Sequence, residues 1–369
     1  MSSKGWRAYA LAITAVLCTA ALTACGSSSS NSSSGGSSSG GSSGGSASSS
    51  KTYTVYLSNS YLGNDWRQQM ERTAEAVAKI PPLKGHVKLT VVNTNNDPTD
   101  QIASLNQIIL KKPSAIMIDA SSPEALNPTI DRACAEGIKV ISFDQAVTAS
   151  CATKVNTNFS ISGRIGATWL AKTLHGKGDI AMDTGLAGAP VSLQIVNAFK
   201  SALSHYPGIH VVATYQSQYA LAPEQQAAAS IIAAHPNIDG VLSQSYGSGF
   251  ENALKQAGKA PIPLYAQAYN GTFVQCATTK GIQCSITSNP ATLGAEALRA
   301  AVEELDGKKL PSQITIPSPA YETNDVTVPG ATFQKIAVGK NAFPKLSPGA
   351  TIPFSPTWTH VTPAMALGS

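Results

Sequence analysis

The sequence predicts an α/β protein made of two similar, doubly wound parallel-sheet lobes joined by a hinge. Two runs of alternating strand and helix patterns, one in each half of the chain, support this prediction. Strands that alternate with helices over short connections form parallel sheets covered by helices on both faces. In addition, polar and aromatic residues follow the ends of several predicted strands, which is where open α/β sheets bind ligands.

The first strand, loop and helix carry the clearest candidate binding residues. Residues 53–57 are apolar and β-rich, and Asp65 is predicted to cap the following helix, because apolar residues recur after it at helical spacing. The loop between them presents Ser60, Asn64 and Trp66. A hydroxyl and an amide can orient a small polar solute while an indole stacks on its apolar side. This combination suits a sugar or polyol.

The remaining elements follow from the same periodicities. Further strands are predicted at 87–93, 115–119, 139–143, 179–184, 209–215, 240–243, 263–266 and 313–316. Further helices are predicted at 100–111, 123–135, 161–174, 191–203, 223–234, 250–256 and 291–305. Beyond residue 330 the chain is rich in proline and weakly periodic, and the sequence assigns it no role.

The N-terminus is predicted to be an export and anchoring segment. Residues 1–24 join a basic start to an apolar run that is short for a bilayer span, as secretory signal peptides do. The run ends in Leu22-Thr-Ala-Cys25, which resembles a bacterial lipobox and implies cleavage before Cys25 and its lipidation. The alternative is an ordinary secretory signal with an incidental cysteine. Residues 25–51 are almost pure Ser and Gly, which predicts a flexible linker.

The charge of the chain argues against nucleic acid as a partner. The formal net charge of +5 falls to +3 once Lys4 and Arg7 leave with the signal peptide, since 24 basic residues then face 21 acidic ones. A balance this mild does not favour nucleic-acid binding. The remaining chain is long enough for two lobes, each with its own core.

Four cysteines other than Cys25 follow the signal peptide, and an even number in an exported chain predicts two disulfides. Proximity favours Cys134–Cys151 and Cys276–Cys284, although four cysteines allow three pairings and buried free thiols are an alternative. A metal site is not predicted, because the chain has no C-x-x-C and no histidine close to these cysteines.

No enzyme class is indicated, and no catalytic residue or cofactor is predicted. The histidines are scattered, and neither H-E-x-x-H nor a Walker A sequence occurs. Gly247-Ser-Gly249 opens a predicted helix, but Asn252 replaces the last glycine of a dinucleotide fingerprint. A transcription repressor is disfavoured by the export signal and by the lack of an N-terminal helix-turn-helix.

Polar and aromatic groups recur at the predicted carboxyl ends of the strands. They are Asp119, Asp144, Gln145, the segment 156–158, Ser245, Tyr246, Tyr269 and Asn270. Each of them could instead cap a helix or form a turn. Their recurrence at the same end of successive strands favours a ligand site.

On these motifs, residues 53–326 resemble the type I periplasmic binding proteins, specifically the ribose-binding group of sugar-binding proteins from bacterial ABC transporters. The segment 60–66 is similar to the family's first binding loop, and the strands ending at Asp119 and Asp144 to those that grip sugar hydroxyls. The segments 156–158 and 286–290 are similar to interlobe crossings. The resemblance implies the ligand-binding set Ser60, Asn64, Trp66, Asp119, Asp144, Gln145, Thr157, Tyr219, Ser245, Tyr246, Tyr269, Asn270 and Ser288.

The chain departs from the family pattern at several of these positions. Gln145 stands where the family commonly has arginine, and a second expected arginine falls on an apolar stretch that includes Leu193 and Ile195. Ser245 replaces an asparagine and Asn270 an aspartate. The loss of these charge-assisted contacts leaves open whether the ligand is a different sugar, a polyol, a cyclitol or something less polar.

The resemblance implies a first lobe of residues 52–157 plus 289–329, a second lobe of 158–288 and a C-terminal extension of 330–369. It implies a monomeric, extracytoplasmic protein, held to the membrane by its lipid, that closes on a sugar or polyol and delivers it to an ABC transporter permease. A sensory protein that signals to a membrane receptor would bind its ligand in the same way and is the alternative, as is binding of a non-sugar small molecule.

Overall fold

The computed structural model describes residues 51–341 and 344–351. Its strands are β1 (Tyr53–Asn59), β2 (Val87–Asn93), β3 (Ala115–Asp119), β4 (Lys139–Phe143), β5 (Thr153–Asn156), β6 (Lys177–Asp183), β7 (Gly208–Tyr215), β8 (Gly240–Leu242), β9 (Leu264–Gln267), β10 (Cys284–Thr287), β11 (Gln313–Thr315), β12 (Ala320–Glu322) and β13 (Phe333–Lys335). Its helices are α1 (Asp65–Ala78), α2 (Pro98–Leu110), α3 (Asn127–Ala135), α4 (Phe159–Thr173), α5 (Pro190–Leu203), α6 (Leu221–Ala234), α7 (Ser248–Gln256), α8 (Asn270–Thr278) and α9 (Leu293–Leu305).

The first lobe is a parallel sheet with the strand order β11-β5-β4-β3-β1-β2. Apolar side chains of α1 and α9 form one buried cluster with the sheet, while those of α2 and α3 form another. The central strands β3 and β4 are nearly continuous apolar runs because they are buried on both faces, and all five residues of β3 are buried.

The second lobe has the strand order β13-β12-β10-β9-β8-β6-β7. Its ladders are parallel except that between β10 and β12, which is antiparallel. Helices α4 and α5 pack on one face of the sheet, and α6 and α7 on the other. The predicted fold class, two doubly wound lobes with mainly parallel sheets, is therefore confirmed.

Three segments cross between the lobes, and the third of them corrects the predicted boundary. The chain crosses after β5, after β10 and between β11 and β12. The prediction placed all of 289–329 in the first lobe, but β12 pairs with β10 of the second lobe. Strand β13, from the predicted extension, continues the same sheet. Strands of three residues are too short to show a periodicity in the sequence.

Two further details differ from the sequence prediction. Asn64, and not Asp65, is the N-cap of α1, because its side chain accepts a hydrogen bond from the backbone nitrogen of Arg67 at 2.8 Å. Helix α8 was not predicted, since it begins at Asn270-Gly271, a dipeptide typical of turns, and its N-cap Tyr269 makes no side-chain capping bond.

Both predicted disulfides are present. Cys134 at the end of α3 is bonded to Cys151, and Cys276 in α8 is bonded to Cys284 at the start of β10. The alternative of buried free thiols is therefore wrong for these four residues. The predicted signal peptide and Cys25 lie outside the described residues, as does the predicted linker up to residue 50. Within the described ranges, no helix has the length and apolar content to cross a membrane.

Candidate ligand-binding cleft

A pocket of about 540 Å³, counting the space at its open mouth, lies between the carboxyl ends of the two sheets. The first lobe and its crossings line it with Tyr61, Asn64, Trp66, Arg67, Asp144, Gln145 and Asn289. The second lobe contributes Phe159, Leu186, Val191, Ile195, Tyr219, Gln244, Gln267, Ala268 and Tyr269, and the C-terminal segment contributes Thr351.

The centre of the first-lobe wall is the buried guanidinium of Arg67, on the first turn of α1. Its Nη1 lies 2.5 Å from Oδ2 of Asp119, and its Nη2 lies 3.6 Å from Oδ2 of Asp144. Nη1 also donates to Oδ1 of Asn59 at 2.6 Å and to Oγ of Ser60 at 3.3 Å. One cation therefore serves two carboxylates that end neighbouring strands, β3 and β4.

The electrostatics of this cluster are set by burial. Burial raises the pKa of Asp119 well above its usual value and also raises the pKa of Asp144, while the neighbouring Arg67 guanidinium acts to lower both. Buried carboxylates persist as anions only where such partners are close. Asp144 also has a positive φ of 51°, a conformation that is uncommon outside glycine and is often found at functional sites.

Asn289, on the second crossing, joins the polar wall to the hinge region. Its Nδ2 donates to Oδ1 of Asp144 at 2.9 Å, and its carbonyl oxygen accepts from Nε1 of Trp66 at 2.7 Å. Thr157, on the first crossing, donates to Oδ1 of Asn289 at 3.3 Å. These bonds fix the indole plane and the Asp144 carboxylate relative to each other.

Tyr219 and Gln244 form the polar part of the second-lobe wall. The Tyr219 hydroxyl lies 2.7 Å from Oγ of Ser192 and 3.2 Å from Oε1 of Gln244. Behind them, the buried carboxylate of Asp183 accepts from the backbone nitrogens of Gly185, Ser217 and Gln244 at 2.7 to 3.0 Å. Asp183 thus holds three loop segments together beneath the cleft.

The apolar part of the second-lobe wall consists of Phe159, Leu186, Val191, Ile195 and Ala268, and the amide of Gln267 and the ring of Tyr269 complete this wall. Gln145 of the first lobe reaches across the cleft to this wall, where its Oε1 accepts a hydrogen bond from the backbone nitrogen of Val191 at 3.0 Å. The cleft is therefore amphipathic, because charged and amide groups of the first lobe face a second-lobe wall that contains a continuous hydrocarbon surface beside its polar part.

Six of the predicted ligand-binding residues line this pocket. They are Asn64, Trp66, Asp144, Gln145, Tyr219 and Tyr269. The other seven lie outside the lining. Ser60 and Asp119 support Arg67 from behind, and Thr157 holds Asn289. Ser245 is fully buried with no hydrogen-bond partner for its Oγ, and Ser288 donates its backbone N–H to the Pro319 carbonyl.

The last two of these seven, Tyr246 and Asn270, lie beside the pocket. Tyr246 stacks on Tyr269 at 3.9 Å between ring centroids and donates to Oδ2 of Asp65 at 3.1 Å. Nδ2 of Asn270 donates to the carbonyl of Leu346 at 2.7 Å. Both residues therefore organise the rim of the pocket, and Asn270 does so through the C-terminal segment.

Sequence reasoning missed several polar lining residues, namely Tyr61, Arg67, Gln244, Gln267, Asn289 and Thr351. Arg67 directly follows Trp66, but nothing in a helical pattern separates a buried arginine from a solvated one. Asn289 follows the predicted Ser288, and Gln244 precedes the predicted Ser245. Here the prediction found the right strand end but chose the neighbouring side chain.

A family model described as a periplasmic binding protein domain matches residues 55–309. The chain belongs to the periplasmic binding proteins. This periplasmic binding protein is 23% identical over 272 residues to the ribose import binding protein RbsB of Bacillus subtilis, covering 72% of this chain and 86% of that protein. It is 25% identical over 215 residues to a xylitol-binding protein of Mycolicibacterium smegmatis, covering 57% of this chain and 59% of that protein.

Solved structures agree with this assignment. An ABC transporter solute-binding protein from Thermobispora bispora superposes with a TM-score of 0.66 at 28% identity, over 72% of this chain and 84% of that chain. A Mycobacterium smegmatis protein in complex with β-D-fucofuranose gives a TM-score of 0.67 at 21% identity, over 73% and 91% of the two chains. The predicted resemblance to type I periplasmic binding proteins is confirmed. So is the expectation that the chain is not an enzyme, because its family and these relatives are binding proteins.

In this periplasmic binding protein, Glu224 of α6 supports the cleft loop that carries Tyr246. The carboxylate is fully buried and accepts from Oγ of Ser243 at 2.5 Å and from the backbone nitrogens of Gly247 and Gly249 at 3.0 and 3.2 Å. Burial is the main cause that raises its pKa to about 8, and the nearby Asp183 adds to the shift.

This raised pKa predicts a pH-dependent stability. Because the pKa of Glu224 in the folded state exceeds its unfolded value, its contribution is fully present below the unfolded pKa and is lost as the pH rises through about 8. We expect the free energy of unfolding of the wild type, measured by urea titration between pH 5 and 9, to fall with rising pH more steeply than that of Glu224→Gln. The two slopes should differ by up to about 1.4 kcal/mol per pH unit. The same change at the exposed Glu124 is the control. Parallel pH profiles for Glu224→Gln and the wild type would contradict the assignment.

Proposed function

We propose that this chain is an extracytoplasmic solute-binding lipoprotein that captures a sugar or polyol in its interlobe cleft and delivers it to an ABC transporter permease. The observation that carries the proposal is the amphipathic cleft between the lobes. Arg67 and Asp144 offer charge-assisted hydrogen bonds to hydroxyl groups, Gln145 offers an uncharged amide, and Trp66 offers an aromatic face. The names of the ribose- and xylitol-binding relatives support the same ligand class.

The mechanism is binding with lobe closure. The three crossing segments act as a hinge, and the ligand is held between the polar and the apolar wall when the lobes meet. The closed form is then the state that a permease recognises. Cleavage before Cys25 and lipidation of that residue would hold the protein at the membrane face, with the Ser/Gly-rich linker as a tether.

The two walls favour a ligand that is hydroxylated on one side only. A hydroxyl aimed at Leu186, Val191 and Ile195 would lose its hydration without gaining a partner, at a cost of about 1–3 kcal/mol. A methyl or methylene group in that place gains instead from burial. We therefore propose deoxy sugars, and polyols or cyclitols with a comparable apolar face, as the preferred class.

A thermal-shift screen of the purified chain against matched ligand pairs tests this function. L-fucose is compared with L-galactose, and L-rhamnose with L-mannose, beside pentoses, xylitol, inositols, nucleosides and amino acids. A ligand at 100 times its dissociation constant adds about 2.7 kcal/mol of stability, which is a clear melting shift. We expect hits among sugars or polyols, with the deoxy member of a pair binding about tenfold or more tightly. Hits only among nucleosides or amino acids would reject the ligand class.

A sensory protein that hands its ligand state to a membrane receptor would use the same cleft. Pull-down of membrane partners by the liganded protein separates the two roles. Recovery of a permease supports transport, and recovery of a receptor without a permease supports sensing.

A further inference from the structure

The C-terminal segment of residues 344–351, which we call the strap, leaves the second lobe and touches the first at the edge of the cleft. We propose that the strap is a third wall of the ligand site and a latch that holds the two lobes closed. The inference rests on the proposed function for its ligand readout, but its conformational consequence can be measured without ligand.

The strap is fixed to the second lobe by backbone pairing. The backbone nitrogens of Asn270 and Gly271, at the start of α8, donate to the carbonyls of Ala350 and Pro348, both at 2.8 Å. Thr351 forms an antiparallel bridge with Tyr269. The strap therefore extends the edge of the cleft beside two of the predicted binding positions.

Apolar packing reinforces this attachment. Leu346 and Ala350 are buried in a cluster with Phe273 and Ile286 of the second lobe. Asn270 adds a side-chain bond from its Nδ2 to the Leu346 carbonyl at 2.7 Å. Since both ends of the segment are held in this way, the strap moves with the second lobe.

The contact with the first lobe is made by Gln69 on α1. Its Oε1 accepts from the backbone nitrogen and from Oγ1 of Thr351 at 2.8 and 2.9 Å, and its Nε2 donates to the Thr351 carbonyl at 3.2 Å. Gln69 and Thr351 are only 1% and 3% exposed. One buried amide thus satisfies both backbone groups of a residue that belongs to the other lobe.

Gly349 brings the strap close to α1 at a second point. A Cβ added to Gly349 would lie 1.6 Å from Oδ2 and 2.5 Å from Cγ of Asp65. That carboxylate also accepts the interlobe hydrogen bond from Tyr246. Only glycine permits this approach without displacing Asp65 or the strap.

Opening of the cleft must therefore break the Gln69–Thr351 hydrogen bonds or detach the strap from the second lobe. Buried hydrogen bonds of this kind shift a two-state equilibrium by about fivefold to tenfold each, so three of them favour closure strongly even after partial compensation by water. Because Thr351 also lines the pocket, the same residue couples the wall of the site to lobe closure.

Gln69→Leu and Gly349→Ala test the latch from its two sides. Gln69→Leu removes the hydrogen bonds, and Gly349→Ala pushes the strap away from Asp65. Gln68→Leu is the matched control, because Gln68 is the neighbouring residue of α1 and is exposed. Circular dichroism and melting curves first establish that each variant folds.

The first readout is the radius of gyration from small-angle X-ray scattering of the full chain without ligand. We expect it to increase in Gln69→Leu and in Gly349→Ala and to stay unchanged in Gln68→Leu. The second readout is the dissociation rate of the best ligand from the sugar and polyol screen, expected to rise about tenfold or more in the two latch variants.

Unchanged scattering and an unchanged dissociation rate in folded Gln69→Leu and Gly349→Ala would overturn the proposal. If the screen yields no ligand, the proposed function fails, while the scattering of the unliganded variants still decides whether the strap holds the lobes. An equal effect of Gln68→Leu on both readouts would also overturn it, since that side chain is exposed and the hydrogen bonds to Thr351 are made by Gln69.

Discussion

Replacement of Arg67 with methionine is expected to lower the free energy of unfolding by about 3–5 kcal/mol near pH 7.5 and to remove measurable ligand binding. The change leaves two buried carboxylates, Asp119 and Asp144, without the cation that lies 2.5 and 3.6 Å from them. Loss of one partner from a buried ionic cluster is costly because the remaining charge keeps no compensation. Urea unfolding and calorimetric titration measure the two effects.

The pH dependence of this variant identifies the mechanism. Burial already raises the pKa of both aspartates and Arg67 opposes that shift, so its removal raises the pKa further. The carboxyl groups are then neutral at low pH and unpaired anions at high pH. The stability deficit of Arg67→Met should therefore shrink at pH 5 and grow towards pH 8.

Arg132→Met is the control, because Arg132 of α3 makes an exposed pair with Glu136, which follows the end of that helix. Surface pairs contribute about 0–1 kcal/mol. A deficit in Arg67→Met no larger than that of the control, or one independent of pH, would contradict the described cluster.

Replacement of Trp66 with alanine is the second prediction with a large expected effect. The side chain is buried in the core that α1 and α9 form with the first sheet, and it also lines the cleft. We expect a loss of about 3–5 kcal/mol in the free energy of unfolding and at least about a 100-fold loss in affinity for a sugar or polyol. Chemical unfolding and titration calorimetry measure these quantities.

Trp66→Phe separates the ring from its hydrogen bond. Phenylalanine keeps an aromatic face but cannot donate to the carbonyl of Asn289, to which the indole nitrogen is bonded at 2.7 Å. We expect it to retain most of the stability and to lose about tenfold in affinity. If Trp66→Ala bound the ligand as tightly as Trp66→Phe, the indole would not be part of the ligand site.

The fold could be predicted from the sequence because its signals are local. Alternating strand and helix periodicities marked the main elements of both lobes, and β3 and β4 have the predicted bounds. Elements with weak local signals were not predicted. The three residues of β12 show no period, and only pairing with β10 assigns them to the second lobe. Tertiary contacts, and not propensity, hold such short strands.

The location of the site could be predicted from the sequence, but only some of the residues that line it could be. Strand ends such as Asp144 could be found because topology brings them to one edge of the sheet. The sequence does not show which polar side chains are buried behind the cleft wall. The central role of Arg67 was therefore missed, and Asp119 was expected to touch the ligand. Thr351 and Gln69 are 282 positions apart in the sequence, and no local sequence pattern predicts a contact between residues so far apart.

The amphipathic cleft itself is the central claim, and a crystal structure of the chain with its best sugar or polyol tests it most directly. We expect a ligand between the lobes, with hydroxyl groups on Asp144 and Gln145, one face on Trp66, and its least polar carbons against Leu186 and Ile195. A ligand bound outside this cleft, or one that turns its hydroxyl groups towards the Leu186 and Ile195 surface, would contradict it.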